Sequence, residues 1–350
     1  MKKLLFILTN DGSDIRTTKE ITSLSSEFDV IFLGMGCNKQ SVPLSELCYK
    51  YILVDGKRNS WWNLLKFVYE FIKILLTQKI STIHVVNENV VVYFYPFLFF
   101  KHVVLDLYDS FFLRYNISKD SMYLLKYIIY APVNRIIVTD ENRLDLTHDK
   151  LKHKCVVIPN VPSVKLNYSD FVKVTQNDII SIAFVGALGK SRGAEILETL
   201  CKQFPNKVKV VMAGWLHDDI SKRLSFYDNV EYIGIVEQYE INKIISSRCD
   251  YILSLYEPSN QNNINASPNK IYDSIHTRTP IILNAEIKAS SYVKEKNIGY
   301  IMESFYNVNY YNLFKDLMNS RDLYSFPEKL ISENSWENYE GILLSLHQVK

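Results

Sequence analysis

The chain has 350 residues, 47% of them hydrophobic and 22% charged. That composition excludes a disordered or fibrous protein and leaves room for two domains. The net charge of +2 asks for no polyanionic partner, so nucleic acid is not expected. Five cysteines (Cys37, Cys48, Cys155, Cys201 and Cys249) stand in no CxxC or Cys/His spacing. They imply a reducing, cytoplasmic setting and no structural metal.

The opening MKKLLFILTNDGSD starts like a signal peptide, but its apolar run is only LLFIL before polar Thr9. It reads as a first strand. A helix over 15–27 follows. Short apolar strands are expected at 30–34, 51–54, 82–86, 102–106, 135–139 and 155–159, with helical patterns between them. Residues 163–178 are polar and irregular, which suits a linker. The rhythm then restarts, with strands at 179–186, 208–214, 230–234, 250–255 and 280–284 and a helix from Gly193. Near-continuous apolar strands between helices mean parallel sheets covered on both faces. The expected class is therefore α/β: two Rossmann-like, doubly wound parallel-sheet domains, 1–165 and 178–330.

Three segments are unusually apolar: 61–79, 90–100 and 121–135. In the first, Leu64, Val68, Phe71 and Leu75 share one helical stripe, while Lys66 and Lys73 lie elsewhere around it. Such a helix either packs on the sheet or rests on a membrane surface, and an aromatic edge allows both. No run of 18 uncharged apolar residues exists to span a bilayer.

Two loops carry candidate chemistry. In AFVGALGKSRGAEIL (183–197) a strand ends, glycines follow and a helix begins, an arrangement that can offer backbone N–H groups to phosphate. Lys190 and Arg192 are its cations; a surface turn with solvated charges is the alternative. In SPNKIYD (267–273), Ser267 can cap a helix, or Pro268 can open it. Lys270 and Asp273 then share a helix face three residues apart. They could serve a nucleotide, the cation for phosphate and the carboxylate for the sugar diol, or they could be a plain ion pair.

Taken as an ordered series, these segments resemble the family-4 kind of GT-B glycosyltransferases. FVGALGKSRG resembles the family's FVGxLxxxKG, and SPNKIYDSIHTRTPII resembles its sPnKlfEymaxGkPvi. VVMAGW, VEYIGIVEQYEI, CDYILSLYEPS and ENSWENYEGILLSL fall in order on further segments, and VVIPNVP and DLYDSF (106–111) on two earlier ones. The likeness covers nearly the whole chain and is thinnest in the first half. It implies the GT-B fold, with two Rossmann-like domains facing across a cleft. It also implies a closing helix at about 334–350 that packs back on the first domain.

By that resemblance the donor site comprises Gly186, Lys190, Arg192, Gly214, Asn265, Ser267, Pro268, Asn269, Lys270 and Asp273. Arg192 would contact the donor diphosphate, and Asp273 takes the place of a ribose-binding glutamate. The chain departs from the pattern at Ala187, where relatives often have Arg, at Asn265, where they have Glu, and at Thr277 or Arg278, where they have Gly. On the acceptor side stand Asp11, Gly12, Asp14, Arg16, Asp106 and Asp109. Arg16 is suited to phosphate, and Asp14 is suited equally to capping the next helix. Tyr108 replaces the family's His. Arg192, Lys270 and Asp109 are the expected catalytic residues.

The resulting expectation is a glycosyltransferase that retains anomeric configuration without metal or cofactor. Its donor would be a nucleotide-sugar, and its acceptor a glycan or polyprenyl-linked sugar at the cytoplasmic face of the membrane, in surface polysaccharide assembly. The rivals are a non-catalytic nucleotide-binding partner of the same fold and a nucleotide-sugar 2-epimerase.

Overall fold

The computed structural model describes residues 1–36, 42–56, 60–108, 112, 119–144, 147–163 and 178–348. The chain divides into two compact units: Met1–Asn160 with Glu337–Lys350, and Val161–Trp336.

The first unit is built on seven parallel strands: β1 (Lys2–Ile7), β2 (Phe28–Met35), β3 (Lys50–Val54), β4 (Ile80–Val86), β5 (His102–Leu107), β6 (Arg135–Val138) and β7 (Cys155–Val157). Their order is β3-β2-β1-β4-β5-β6-β7. Strands β1, β2, β4 and β5 are almost wholly buried, which is why they read as unbroken apolar runs rather than alternating ones. On one face Leu5, Ile31, Val85 and Leu105 pack under Phe67, Phe71 and Phe94. Phe71 and Phe94 stack with ring centroids 4.0 Å apart. The helix Trp61–Thr77 therefore buries Phe67, Phe71 and Ile74, one turn-spaced stripe, while Leu64, Val68 and Leu75 lie half-buried on its flanks. The expected stripe was rotated by about one residue.

The helix Glu337–His347 returns to this unit and packs on the helix Ile15–Leu24 and on β4 and β5. Ser23 Oγ donates to Glu340 at 2.9 Å, and the rings of His84 and His347 meet nitrogen to nitrogen at 3.0 Å.

The second unit carries six parallel strands: β8 (Ile180–Leu188), β9 (Val208–Leu216), β10 (Val230–Tyr232), β11 (Tyr251–Leu253), β12 (Ile281–Asn284) and β13 (Gly299–Met302). The order is β10-β9-β8-β11-β12-β13. Strand β13 was not expected from the sequence, because it is short and begins at a glycine. That glycine is required: a Cβ on Gly299 would sit 2.1 Å from the Ile281 carbonyl. In each sheet the strand order reverses beside the first strand, between β1 and β4 and between β8 and β11. The carboxyl ends at such a reversal form the usual binding crevice of a doubly wound sheet. Among the described residues no helix is long and apolar enough to cross a membrane. Among the described residues Cys48, Cys155, Cys201 and Cys249 form no disulfide.

Candidate functional site

The carboxyl edge of the second sheet collects most of the residues singled out as donor-binding. Gly186 and Gly214 lie side by side in the β8–β9 register with φ of 100° and 132°. A Cβ on Gly214 would fall 2.0 Å from the Gly186 carbonyl, so only glycine lets the two strand ends close up. Beyond β8 the chain turns through Lys190–Arg192 and Gly193, whose φ is 94°, into the helix Ala194–Gln203. The loop after β11 is tied to this turn by a hydrogen bond from Glu257 N–H to the Ser191 carbonyl, 2.9 Å long.

Arg192 is held there by an aromatic platform. Its guanidinium carbon lies 3.8 Å from the centroid of the Tyr256 ring. Tyr256 is itself clamped: its N–H donates to Asn284 Oδ1 and its carbonyl accepts from Asn284 Nδ2, both at 3.0 Å. Asn284, fully buried at the end of β12, also donates to Glu286 at 2.8 Å. Arg192 is thus fixed in direction, and its Nη1 is buried with no hydrogen-bond partner. Ser254 Oγ, Asn262 Oδ1 and Asn265 Oδ1 are buried and unpartnered in the same way. Among the described residues of the second unit, these four are the only buried side-chain polar atoms without a partner. All four lie in the segments that follow β8 and β11, Asn262 in the short helix Gln261–Ile264. Such groups are costly in a folded protein unless something completes them.

Asn265, where the sequence resemblance leads one to expect a glutamate, is nearly fully buried. Its Nδ2 donates to the Gln261 carbonyl at 2.8 Å, which aims Oδ1 away as a free acceptor. Lys190 pairs with Glu195 at 3.2 Å at the surface, and its backbone N–H donates to Asp218 at 2.5 Å.

The helix Asn269–Thr277 differs from expectation at its start. Pro268 is the capping residue, with φ −67° and ψ 120°, and no side chain caps the helix, so neither Ser267 as cap nor Pro268 as first helical residue holds. The ring of Pro268 fits the extended residue before the first turn equally well. Lys270 Nζ lies 3.2 Å from Asp273 Oδ2, the ion pair that was the alternative reading. Asp273 is buried, and its Oδ1 also accepts from Gln238 Nε2 at 2.9 Å and Asn242 Nδ2 at 3.2 Å. These two partners come from the helix Gln238–Arg248 and had no signal in the sequence beyond their polarity.

In the first unit the acceptor-side candidates are mostly structural. Asp14 caps its helix, accepting from Thr17 N–H at 2.9 Å and Thr17 Oγ1 at 2.7 Å. Asp11 Oδ1 accepts from Ser13 Oγ at 2.7 Å, and Gly12 turns with φ of 76° at a place where a Cβ would strike Leu44 at 2.4 Å. Asp109 lies outside the described residues.

Arg16 and Asp106 correct the sequence reading most. Arg16 does not reach a phosphate; it is buried, grips both Asp106 oxygens at 3.0 and 2.8 Å, and donates to the Ile158 carbonyl at 3.0 Å. Asp106 is fully buried beneath it and is not an acceptor contact. The strand and the helix start that carry them are covered, so the charges must satisfy each other. Glu20, not singled out before, lies 2.8 Å from Arg16 Nε and accepts from Tyr108 Oη at 2.9 Å. Its place four residues after Arg16 was the available hint. Glu20, His84 and Asp106 bring ligand-type atoms within 4.8 Å of one another, with the Arg16 guanidinium against both carboxylates. Burial, then the charge of Asp106, raises the Glu20 carboxyl well above the usual range. Burial, with His347 and Arg16 nearby, lowers His84 well below its usual value. Burial likewise lowers His347 to about 4.

No protein-family model matches the chain, and no curated protein matches it in sequence. Solved structures do. Sucrose-phosphate synthase from Thermosynechococcus elongatus superposes with a TM-score of 0.73 at 14% identity, over 99% of this chain and 98% of that one. Anabaena HepE in complex with UDP-glucose gives 0.70 at 12% identity, covering 99% of each chain. A glycosyltransferase from Rickettsia africae gives 0.71 at 12%, covering 99% of this chain and 97% of that one. At these identities the likeness is one of fold. The chain has two Rossmann-like parallel-sheet units of seven and six strands, and its fold is that of the GT-B glycosyltransferases.

Proposed function

We propose that this protein is a glycosyltransferase that moves a sugar from a nucleotide-sugar donor to a glycan or polyprenyl-linked acceptor, with retention and without a metal. The observation that carries this reading is the set of unpartnered buried atoms at one sheet edge: Arg192 Nη1, Ser254 Oγ, Asn262 Oδ1 and Asn265 Oδ1. One fixed cation and three oxygens suit a ligand with an anionic part and hydroxyls. The edge where they lie is where doubly wound sheets bind nucleotides.

In this reading Arg192, stacked and pre-aimed, takes a diphosphate oxygen and stabilises the charge that grows as the nucleotide leaves. Lys270 uses one of its three N–H donors on Asp273 and has two for phosphate. Asp273 has three of its roughly four acceptor sites taken, leaving one for a ribose hydroxyl. Asn265 accepts a hydroxyl of the donor sugar. A neutral amide serves there as an acceptor without adding charge next to the diphosphate. The acceptor hydroxyl attacks on the face from which the diphosphate departs, and that oxygen can take its proton. Asp11 and Asp109 are the acceptor-side candidates, and the work is done at the cytoplasmic membrane surface.

The test is a thermal-shift and calorimetry series over UDP, GDP and their sugars; the HepE complex with UDP-glucose makes UDP-glucose the first to try. A ligand at 100 times its Kd stabilises by about 2.7 kcal/mol. Arg192→Ala should abolish the shift. A flat series across all nucleotides would remove the donor reading. Binding with no donor hydrolysis, and no transfer to membrane lipid extract, would instead favour the non-catalytic partner.

A further inference from the structure

The helix Trp61–Thr77 is apolar on both sides. Its inner side buries Phe67, Phe71 and Ile74. Its outer side presents Trp61, Trp62 and Leu76 with 69%, 73% and 82% of their surface exposed, and Leu65 and Tyr69 between them. A helix lying between a core and water should be polar outside. The neighbouring helices repeat the pattern. Glu88–Leu98 packs against it through Phe94 and Phe97 and ends in exposed Phe99 and Phe100, and Lys119–Ile129 exposes Leu124, Tyr127 and Ile128. Tyr95 Oη donates to the Ile128 carbonyl at 2.8 Å, so the three helices form one continuous layer.

The charges within that layer are sorted. Among its described side chains the exposed cations are Lys66 and Lys73. Of its described acids, Glu88 is buried under Tyr130, and Glu70, only partly exposed, is paired with Lys73 at 3.2 Å. The face is therefore apolar and aromatic with a small basic excess. Aromatic and leucine side chains together on one face, with lysines whose long stems can reach headgroups, form the pattern of a surface that lies in a bilayer interface.

We propose that the outer face of these three helices seats on an anionic lipid bilayer, with Trp61, Trp62, Tyr69 and Phe100 in the headgroup region and Lys66 and Lys73 against lipid phosphates. The inference deepens the part of the functional reading that places the acceptor at a membrane, and it does not depend on the donor. It fits the chain's lack, among described residues, of any helix able to cross.

The full chain is sedimented with vesicles of phosphatidylcholine and of phosphatidylcholine with phosphatidylglycerol, with no nucleotide or acceptor present. Co-sedimentation with the anionic vesicles, reduced at least tenfold in the combined Trp61→Glu and Tyr69→Glu variant, is the expected result. Lower binding at high salt and a blue-shifted tryptophan emission on the vesicles should accompany it. Phe226→Glu, at an 85% exposed position of the second unit, should bind as the parent does. The variants' melting curves check that they fold. A parent chain that ignores both kinds of vesicle overturns the proposal. So does a concentration-dependent dimer that the double variant dissolves, which would assign the face to a second copy. Because nucleotide binding is read separately by calorimetry, a negative vesicle result leaves the donor site standing.

Discussion

Glu20 and Asp106 are two buried carboxylates facing one guanidinium, so one of them must be neutral. The ring tautomers say which. His347 Nδ1 lies 2.9 Å from the Leu343 carbonyl and must donate to it, so its Nε2 accepts from His84 Nδ1. His84 Nε2 is then a bare lone pair, 3.6 Å from Glu20 Oε2. Two acceptors face each other there unless Glu20 carries the proton, the direction in which burial and the charge of Asp106 push it. Glu20→Gln should therefore fold with little loss, whereas Asp106→Asn leaves the Arg16 charge without a counterion and should cost about 3–5 kcal/mol in chemical denaturation. The pH series has a definite sign. An acid with a raised folded pKa stabilises fully below its unfolded value and loses that contribution as pH rises. Glu20→Gln should accordingly gain on the parent between pH 5 and 8. A constant difference across that range would mean Glu20 is ionised in the fold. A second residue-scale prediction concerns Asn284. Asn284→Ala strips both backbone bonds from Tyr256 and should cost about 2 kcal/mol or more in stability. It should also weaken nucleotide binding while Arg192 itself is unchanged. Donor affinity equal to the parent's would show that the platform does not aim Arg192.

At the scale of elements, the helix Asn269–Thr277 ends on Arg278, a non-glycine residue with φ of 51°. The resemblance in sequence leads one to expect a glycine here or at Thr277. Left-handed backbone costs a residue with a Cβ about 1 kcal/mol or more, and the exposed ion pair of Arg278 with Glu328 returns less than that. Arg278→Gly should raise Tm slightly and Arg278→Val should lower it; the reverse order would remove the strain. Strand positions were largely legible, because buried parallel strands are apolar without interruption. Gly186 and Gly193 were legible as the glycines of a strand–loop–helix turn, and each has the positive φ that glycine favours. Three things were not. Strand β13 lacks a long apolar run, the phase of the helix Trp61–Thr77 cannot be fixed when both its faces are apolar, and the Arg16–Asp106 pair joins residues 90 apart in the chain. No local pattern announces a partner at that distance. The expectation that Arg16 meets a phosphate failed because exposure, not residue type, decides what an arginine binds.

For the molecule as a whole, the closing helix sets the acid limit. His84 and His347 are buried neutral, with His347 lowered from 6.5 to about 4. A base with a depressed folded pKa contributes stability that is present above its unfolded value and lost as pH falls towards the folded one. Stability should drop by a few kcal/mol between pH 6.5 and 4, and the drop should shrink in His347→Phe. Melts that are flat over this window in the parent would contradict the buried pair. Removing residues 337–350 should strip hydrogen-exchange protection from β4 and the helix Ile15–Leu24, while amides of Val161–Trp336 keep theirs. Equal losses in both units would mean that the closing helix does more than cover the first sheet.

The first unit takes its last piece from beyond the second: Glu337–Lys350 joins a body otherwise finished at Asn160. During synthesis this inverts the usual order of completion. A ribosome that has released the first 336 residues holds a second unit with every strand in place and a first unit whose His84 still lacks its cover. The earlier-made half must wait, with an apolar seam open to chaperones, until this helix clears the exit tunnel. A chain broken off before Glu337 would leave the second sheet whole and yet expose the first unit to degradation.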